Sequence, residues 1–466
     1  MSIYNALKNK LNNFLKNGGP DFQQILKTEG CVSYHSRLSI QDLSETSNQP
    51  LCNKDEDILV FNGEIFNWKE IYKKVPINNK KDELKSDTQF LFLLLTNNLI
   101  EKFIDQFSGF FSFVFFSPQK RLVIYGRDSL GVKPLYLAWD KNKYPVFSST
   151  SEALTLHPNV ERKLDHNTIE SYLRVGFFPN NESPYLGINQ VDCGTLTTLK
   201  LNDDFSKKDI ISIKKFDLEN LISKINNLSK SGIRFSNNYF EKIITEACAS
   251  RLLGDVPSAL LLSGGIDSSI LAWTYSQKLG VKIPCFTVDF VSSKNSEASI
   301  ANKTASLLNL EHNIIKFTNE QISRKYEQIF SNLDQPLHDN SLIPTQLICE
   351  EVSKSFKVAI SAEGGDEAFG GYPKYTANLR FEKLLKIFSL LPKSFYKNIN
   401  FFSNFSKFEK LISILTEDIN LANSIYFYQH QLWPNKILDN ILKNDNKFKI
   451  EKHFIYHFNK EISKLS

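Results

Sequence analysis

Ser263-Gly-Gly-Ile-Asp-Ser-Ser269 is the stretch of this 466-residue chain whose residue types most directly imply chemistry. An apolar run, Ala259-Leu-Leu-Leu262, precedes it and predicts a buried strand. Ile270-Leu-Ala-Trp-Thr-Tyr275 follows and predicts a helix. A strand, a glycine turn and a helix start together build an anion cradle. Gly264 and Gly265 let backbone N–H groups approach a phosphate closely. The new helix adds unpaired N–H groups and the positive end of its dipole. Ser263, Ser268 and Ser269 carry hydroxyl donors, and Asp267 can hold Mg2+ on a phosphate. The Gly-x-x-x-x-Gly-Lys-Ser/Thr pattern that grips β- and γ-phosphates through a lysine is missing from the segment.

A second constellation is Ser361-Ala-Glu-Gly-Gly-Asp-Glu-Ala-Phe-Gly-Gly-Tyr372, directly after a predicted strand, Phe356-Lys-Val-Ala-Ile360. It gathers Glu363, Asp366 and Glu367 around a glycine turn. Acids at a strand end can ligate Mg2+ on a nucleotide and move protons during amide formation.

Placing two such loops at strand ends requires an alternating α/β segment, and residues 235 to about 375 read that way. A helix over Tyr239–Leu253 leads to a strand at 258–262 and a helix from 267. Then come a strand at 283–289, a helix at 297–309, a strand at 312–316, a long helical region and the strand at 356–360. The alternation predicts an open parallel sheet with ligands at its carboxyl ends. Residues 1 to about 200 read as mostly β, with strands at Ile58-Leu-Val-Phe61, Phe110–Phe116 and Arg121–Tyr125 and a helix over Asp87–Leu99. Residues 202–230 turn rich in Lys, Asp, Asn and Ser, which marks a boundary. Beyond 375 the pattern is helical.

The bulk properties fit a globular protein of two domains or more. Hydrophobic residues make up 41% and charged residues 23%, with a net charge of +5. Lysines alternate with Asn and Glu, so no concentrated basic patch argues for nucleic acid. Six cysteines are scattered without a C-x-x-C pair, which argues against a zinc site or a disulfide framework and suits a reducing cytoplasm. No run reaches the length of a membrane span, and no apolar segment marks a secretory signal.

The seven-residue loop resembles the pyrophosphate loop of enzymes that split ATP between its α- and β-phosphates. The chain as a whole resembles the glutamine-dependent asparagine synthetase family over roughly residues 17 to 440. The first part supplies Arg37-Leu-Ser-Ile-Gln-Asp-Leu43, Asn62-Gly-Glu-Ile-Phe-Asn67, Ser86-Asp-Thr88, Phe107–Phe113, Gly126-Arg-Asp128 and Gly131-Val-Lys-Pro-Leu-Tyr136. The second supplies Asp255-Val-Pro257, the pyrophosphate loop, Asp334–Pro344 and residues 361–372. The resemblance implies a two-domain α/β protein. Residues 1–205 would form a class II glutamine amidotransferase domain, an Ntn-type αββα sandwich, and 206–232 a linker. Residues 233–466 would form a doubly wound parallel α/β ATP-pyrophosphatase domain. It also implies a carbon–nitrogen ligase that adenylates the aspartate side chain with ATP and amidates it with ammonia. The products would be asparagine, AMP and pyrophosphate, with glutamine as the nitrogen source. Small-molecule substrates, no nucleic acid, no membrane, a cytoplasmic setting and an open option of a homodimer go with that reading.

Carried over residue by residue, Arg37 would pair with the glutamine α-carboxylate, with Leu38, Ser39 and Ile40 beside it. Asp87 would take the α-amino group and Glu64 would help hold the glutamine. Asn62 and the Gly63 N–H would form the oxyanion hole. Leu262 and Val288 would flank adenine. Ser263, Gly264, Gly265, Asp267, Ser268 and Ser269 would hold the phosphates, and Ser361 and Ala362 would touch nucleotide by backbone. Asp267 and Asp366 would hold Mg2+, and Glu363 would be the acid/base group.

Two features depart from the family pattern. The family begins Met-Cys-Gly-Ile and uses that exposed Cys as nucleophile, whereas residues 2 and 3 here are Ser and Ile. Cys31 and Cys52 have no free α-amino group and do not replace it. The family's late Lys-x-x-Leu-Arg signature is not found between Lys374 and Ser466, where Lys436 and Lys443 are the lysines considered for its role. The expectation is a first domain short at its N-terminal side with its glutaminase function lost as written, and a second domain short at its C-terminal side. Two alternatives stay open: a non-catalytic remnant, and a relative acting on another carboxylate such as a sugar acid or a lactam-forming substrate.

Overall fold

A computed structural model describes residues 9–12, 14–77, 84–179, 181–216, 236–252, 254–291, 296–376 and 432. The helices expected beyond 375, the residues around Ser2, and Lys436 and Lys443 lie outside the described residues. The chain divides into two compact units. The first takes in Met1–Arg162, Gly187–Asp334 and Ser341–Ala362, and the second Lys163–Leu186, Gln335–Asn340 and Glu363–Ser466.

In chain order the strands and helices begin with β1 (Phe22–Thr28), β2 (Cys31–Arg37), β3 (Leu51–Cys52), β4 (Ile58–Ile65), α1 (Trp68–Lys74), α2 (Asp87–Thr96) and α3 (Ile100–Phe103). They continue with β5 (Gly109–Ser117), β6 (Leu122–Arg127), β7 (Tyr136–Trp139), β8 (Pro145–Ser148), α4 (Ser151–Leu154) and α5 (His166–Val175). Next come β9 (Ile188–Gln190), β10 (Thr195–Leu201), β11 (Lys207–Lys215), α6 (Asn237–Ser250), β12 (Ser258–Leu261) and α7 (Ile266–Trp273). The last are β13 (Cys285–Phe290), α8 (Ala298–Leu307), β14 (His312–Phe317), α9 (Asn319–Ser331), α10 (Leu342–Val352), β15 (Val358–Ile360) and α11 (Gly365–Phe369).

The first unit opens with a six-stranded antiparallel sheet in the order β11-β10-β6-β5-β4-β3. Its central strand β5 is apolar at nearly every position because both of its faces are covered. Phe111, Phe113 and Phe115 point to a core shared with Trp68 and Ile71 of α1 and Phe90, Leu91, Leu94 and Leu95 of α2. Val114 and Phe116 point the other way, to a core with Leu137, Trp139 and Phe147 of the smaller sheet β8-β7-β9. With α4 packed along that smaller sheet, the layers run helix, sheet, sheet, helix, as expected. Helix α2 starts where it does because the Ser86 hydroxyl accepts from the Gln89 N–H.

The strand β11 corrects one expectation. Residues 207–215 pair with β10 and extend the first sheet into the stretch read as linker from 206. β11 lies at the sheet edge with most of its residues exposed. Such a strand shows no hydrophobic alternation, and its lysines suit an edge that must not recruit further strands.

The first unit also holds a four-stranded parallel sheet in the order β14-β13-β12-β15. Cys248 of α6, Ala272 of α7 and Ala301 and Ala305 of α8 cover one face. Ile329 of α9 and Leu347, Ile348 and Val352 of α10 cover the other. Successive strands step outward from β12 to β13 and β14, whereas β15 returns to the opposite side of β12. The winding therefore reverses between β12 and β15, where doubly wound sheets open a ligand crevice at their carboxyl ends.

In the second unit, α5 is capped by the Asp165 carboxylate, which accepts from the Asn167 N–H at 2.9 Å, and it ends on left-handed Gly176. The pair Glu170–Arg174 is buried within it at 2.6 Å.

Candidate functional site

Of the residues expected for glutamine, Asn62, Gly63 and Glu64 lie near the end of β4 and Asp87 opens α2. Gly63 has φ +139°, and a Cβ there would lie 2.1 Å from the Phe110 carbonyl oxygen. Only glycine fits this approach of β4 to β5, which leaves Asn62 and Glu64 presented on either side of it. The Asp87 carboxylate accepts from the Ile65 N–H at 2.9 Å and from the Thr88 N–H at 2.7 Å. Those bonds tie the first residue of α2 to the last of β4 and bring Asp87 against Glu64.

The two carboxyls share a hydrogen bond. Burial and the neighbouring Asp87 push Glu64 up to about 8, and burial pushes Asp87 up to about 6. Both shifts favour retention of a proton between the two carboxyls. Gln41 braces it: its amide N–H donates to the Glu64 carboxyl, and its amide oxygen accepts from the Trp68 indole N–H at 3.2 Å. Lys133 is half-buried nearby, with Nζ 5.2 Å from the Phe110 ring centroid. Burial lowers its pKa, and Glu64 opposes that effect.

Arg37 is buried, and its guanidinium is already engaged. It donates to the Ser44 carbonyl at 3.0 Å, the Asn48 Oδ1 at 2.8 Å, the Gln41 carbonyl at 3.2 Å and the Asp42 carbonyl. These bonds shape the loop 41–48. A carboxylate reaching the terminal nitrogens would have to displace one of them. In the preceding loop the Ser39 N–H donates to Asp21 at 2.8 Å, and the Ile40 carbonyl accepts from the Asp255 N–H at 2.9 Å.

Sequence reasoning assigned no role to several residues that hold this region together. Asp128 accepts from the N–H groups of Phe111, Leu130, Val132 and Lys133. Arg127 donates to the carbonyls of Gly131, Lys133 and Val191. Together they fix the loop that carries Lys133. The Gly126-Arg-Asp128 motif was the available signal, but a motif does not say that its charges face inward. Gln41 gave no signal of its own.

None of the free cysteines is activated. Burial pushes the Cys31 thiol up to about 12 and raises Cys52 as well, consistent with neither serving as a nucleophile.

The phosphate-loop residues leave β12 and enter α7 as expected. The Ser268 hydroxyl accepts from the Ser263 N–H at 3.1 Å and lies 2.8 Å from the Ser263 hydroxyl. The Ser269 hydroxyl donates to the Gly265 carbonyl at 2.8 Å. The hydroxyls thus shape the loop, and the first N–H groups of α7 are left without helical acceptors. Neither glycine needs a left-handed φ. A Cβ on Gly264 would press 3.2 Å from Ile300 Cβ, so a side chain there would require α8 to give by a few tenths of an ångström. Asp267 is half-buried in the first turn of α7. An open cleft of about 300 Å3 lies against Gly264, Gly265, Ile266, Ser269, Ile270 and Trp273.

Leu262 stands where β12 parts from β13, its side chain in the core under α6 to α8, whereas the Val288 side chain packs on the other face with α9 and α10. The Leu262 N–H donates to the Phe286 carbonyl at 2.9 Å, the last ladder bond between the strands. By alternation, the backbone of Val288 faces the side that β12 has vacated. Ser361 follows β15, which pairs with β12 through Leu260↔Ile360. Ser361 and Ala362 therefore flank the same reversal point from the opposite strand.

Glu363 and Asp366 belong to the second unit. Gly364 adopts φ +87° and starts α11, and a Cβ on Gly371 would lie 2.0 Å from the Asp366 Oδ1. The Tyr372 hydroxyl donates to Glu367 at 2.8 Å. Among the described residues no group of three or more His, Cys, Asp or Glu gathers as a metal site. None of their helices is long and apolar enough to cross a membrane.

Comparison with known proteins gives one domain match for each part of the chain. Residues 4–209 match the glutamine amidotransferase domain model, and residues 240–433 match that of asparagine synthase. Putative asparagine synthetase [glutamine-hydrolyzing] 2 of Methanocaldococcus jannaschii is 29% identical over 98% of this chain and 89% of its own length. Asparagine synthetase [glutamine-hydrolyzing] 1 of Bacillus subtilis is 27% identical over 82% of this chain and 58% of its own length. Amidase chyE of Penicillium rubens is 29% identical over 78% of this chain and 54% of its own length. The chain thus spans little more than half the length of the last two relatives. With an amidotransferase domain followed by a synthase domain, the chain belongs to the asparagine synthetase family.

Proposed function

We propose that this protein is an ATP-dependent ligase that activates the side-chain carboxylate of aspartate by adenylation and amidates it with ammonia. A carboxylate oxygen attacks the α-phosphorus of ATP, and the bond to the β-phosphate breaks to release pyrophosphate. Ammonia then attacks the acyl carbon, AMP leaves, and the nitrogen gives up one proton to a base. The observation that carries this reading is the convergence of Ser263–Ser269, the Val288 backbone and Ser361–Ala362 on one reversal point of a parallel sheet. A nucleotide lying there has its base against Leu262 and Val288 and its phosphates on the N-terminus of α7.

Asp267 is the residue of the first unit that would hold Mg2+. The Asp267 carboxylate, in the first turn of α7, offers the hard oxygen that this ion prefers. The ion, when bound, neutralises phosphate charge. On the other side, Asn62 and the Gly63 N–H would stabilise an oxyanion on glutamine. The Glu64–Asp87 pair would take its ammonium group, and Arg37, Leu38, Ser39 and Ile40 would lie around its carboxylate.

The test is aspartate-dependent exchange of labelled pyrophosphate into ATP. Exchange that requires aspartate is the expected outcome, and none at saturating ATP and Mg2+ would sink the reading. Amidase chyE matches this chain at 29%, the same as the archaeal synthetase. A panel of other carboxylates therefore belongs in the same assay, and exchange with one of them alone would move the substrate away from aspartate.

A further inference from the structure

The departure of β12 from β13 leaves a buried backbone carbonyl to be satisfied. After the Leu262 N–H bonds Phe286, the next ladder bond of a parallel pair would run from the Val288 N–H to the Leu262 carbonyl. The two strands make no such bond. The Leu262 carbonyl accepts instead from the hydroxyl of Thr287, in a position where Leu262 is 2% and Thr287 4% exposed. That hydroxyl is held in turn by His312 of β14, whose Nε2 lies 2.7 Å away. The Nδ1 of His312 lies 3.2 Å from Oδ1 of Asn302 on α8.

The proton count is restrictive. A threonine hydroxyl has one hydrogen, and here it goes to the Leu262 carbonyl. Nε2 of His312 must therefore be a donor, N–H to Oγ1. Nδ1 then meets the Asn302 side chain, whose amide serves the neutral ring with its NH2 and the protonated ring with its oxygen. The bond to Thr287 is kept in both cases.

We infer that Thr287, held by His312, is a positioning residue for nucleotide binding. Its hydroxyl replaces the ladder donor that β12 gives up and fixes the exit direction of the chain into Ser263–Gly265. The N–H groups of that turn are the ones read above as phosphate donors, so this inference rests on the proposed nucleotide site. A side chain of the same shape without the hydroxyl would leave the Leu262 carbonyl unsatisfied. The chain would then either re-pair with β13 and flatten the turn, or lose its fixed direction.

The test compares Thr287→Val with Thr287→Ser on the full chain, measuring the dissociation constant for Mg-ATP by calorimetry. The valine variant is expected to bind about tenfold more weakly, the loss of one hydrogen bond to a buried group, and serine to restore binding to within about twofold of the parent. Should Thr287→Val fail to fold, His312→Gln and His312→Leu carry the same contrast, since only Gln keeps a donor near Nε2. Valine binding as tightly as the parent while unfolding more easily would overturn the inference, leaving the hydroxyl a purely structural role. A parent chain that binds no Mg-ATP would overturn the nucleotide site itself. That outcome is visible before any variant is compared.

Discussion

At the scale of single residues, the acid pair Glu64–Asp87 sets the sharpest expectations. A carboxyl whose pKa is raised by folding binds its proton more tightly in the folded state. The stability it gives is present in full below its unfolded value near 4.5 and is lost as pH rises through about 8. Glu64→Gln keeps a donor toward Asp87 without a titratable proton. We expect the variant to lack this component of pH dependence and to gain on the parent above pH 8, as read by urea unfolding across a pH series. Parallel parent and variant profiles would show that Glu64 is not the group responsible. Gly63→Ala is a harsher change. It meets the Phe110 carbonyl oxygen at 2.1 Å and demands φ +139° of a residue with a Cβ. A loss of about 2–4 kcal/mol is expected from overpacking and backbone strain together. Unfolding at unchanged denaturant would contradict the close approach described here.

Elements were legible in the sequence to the degree that one physical signal dominated them. The apolar runs of β5 and β12 and the helical face of α2 were readable because they are buried against covered layers. The parallel sheet was readable from the alternation of its elements. β11 was not, because an exposed edge strand of Lys and Asp around Ile210, Ile211 and Ile213 has the composition of a linker. The site residues divide in the same way. Asp87 and Asn62 carry motif signals and lie at the start of α2 and in β4, and the phosphate loop links β12 to α7. Arg37 carries one too, yet its guanidinium spends its donors on its own loop. Gln41 and Thr287 were silent, because the partners that define them are brought near only by folding. A test at this scale is the α2 cap. Ser86→Ala should cost about 1 kcal/mol, measured by thermal unfolding. No change would mean that the Gln89 N–H finds water as easily.

At the scale of the whole molecule, the first unit joins its two kinds of sheet through a few charged contacts. Asp255 accepts from the Asp42 N–H at 2.8 Å, and Lys357 pairs with Asp21 at 2.6 Å. Asp334 accepts from the N–H groups of Ser151 and Glu152 at 2.8 and 2.9 Å. Asp255 and Lys357 stand just before β12 and β15, the strands that lead to the two nucleotide segments. Asp334 caps α4 from far along the chain, so Asp334→Ala should lower stability by about 1 kcal/mol or more, seen as an earlier unfolding midpoint. A folded nucleotide site also makes a ligand-linked prediction. Mg-ATP at about a hundred times its dissociation constant should stabilise the protein by about 2.7 kcal/mol.

The central claim is that ATP activates a carboxylate through its α-phosphorus. The most direct measurement follows heavy oxygen placed in the aspartate side-chain carboxylate through a turnover with Mg-ATP and ammonia. Adenylation predicts that one labelled oxygen appears in AMP, because the bond to the acyl carbon breaks while the bond to phosphorus stays. Label found in inorganic phosphate beside ADP, with none in AMP, would mean attack at the γ-phosphorus and would contradict the account.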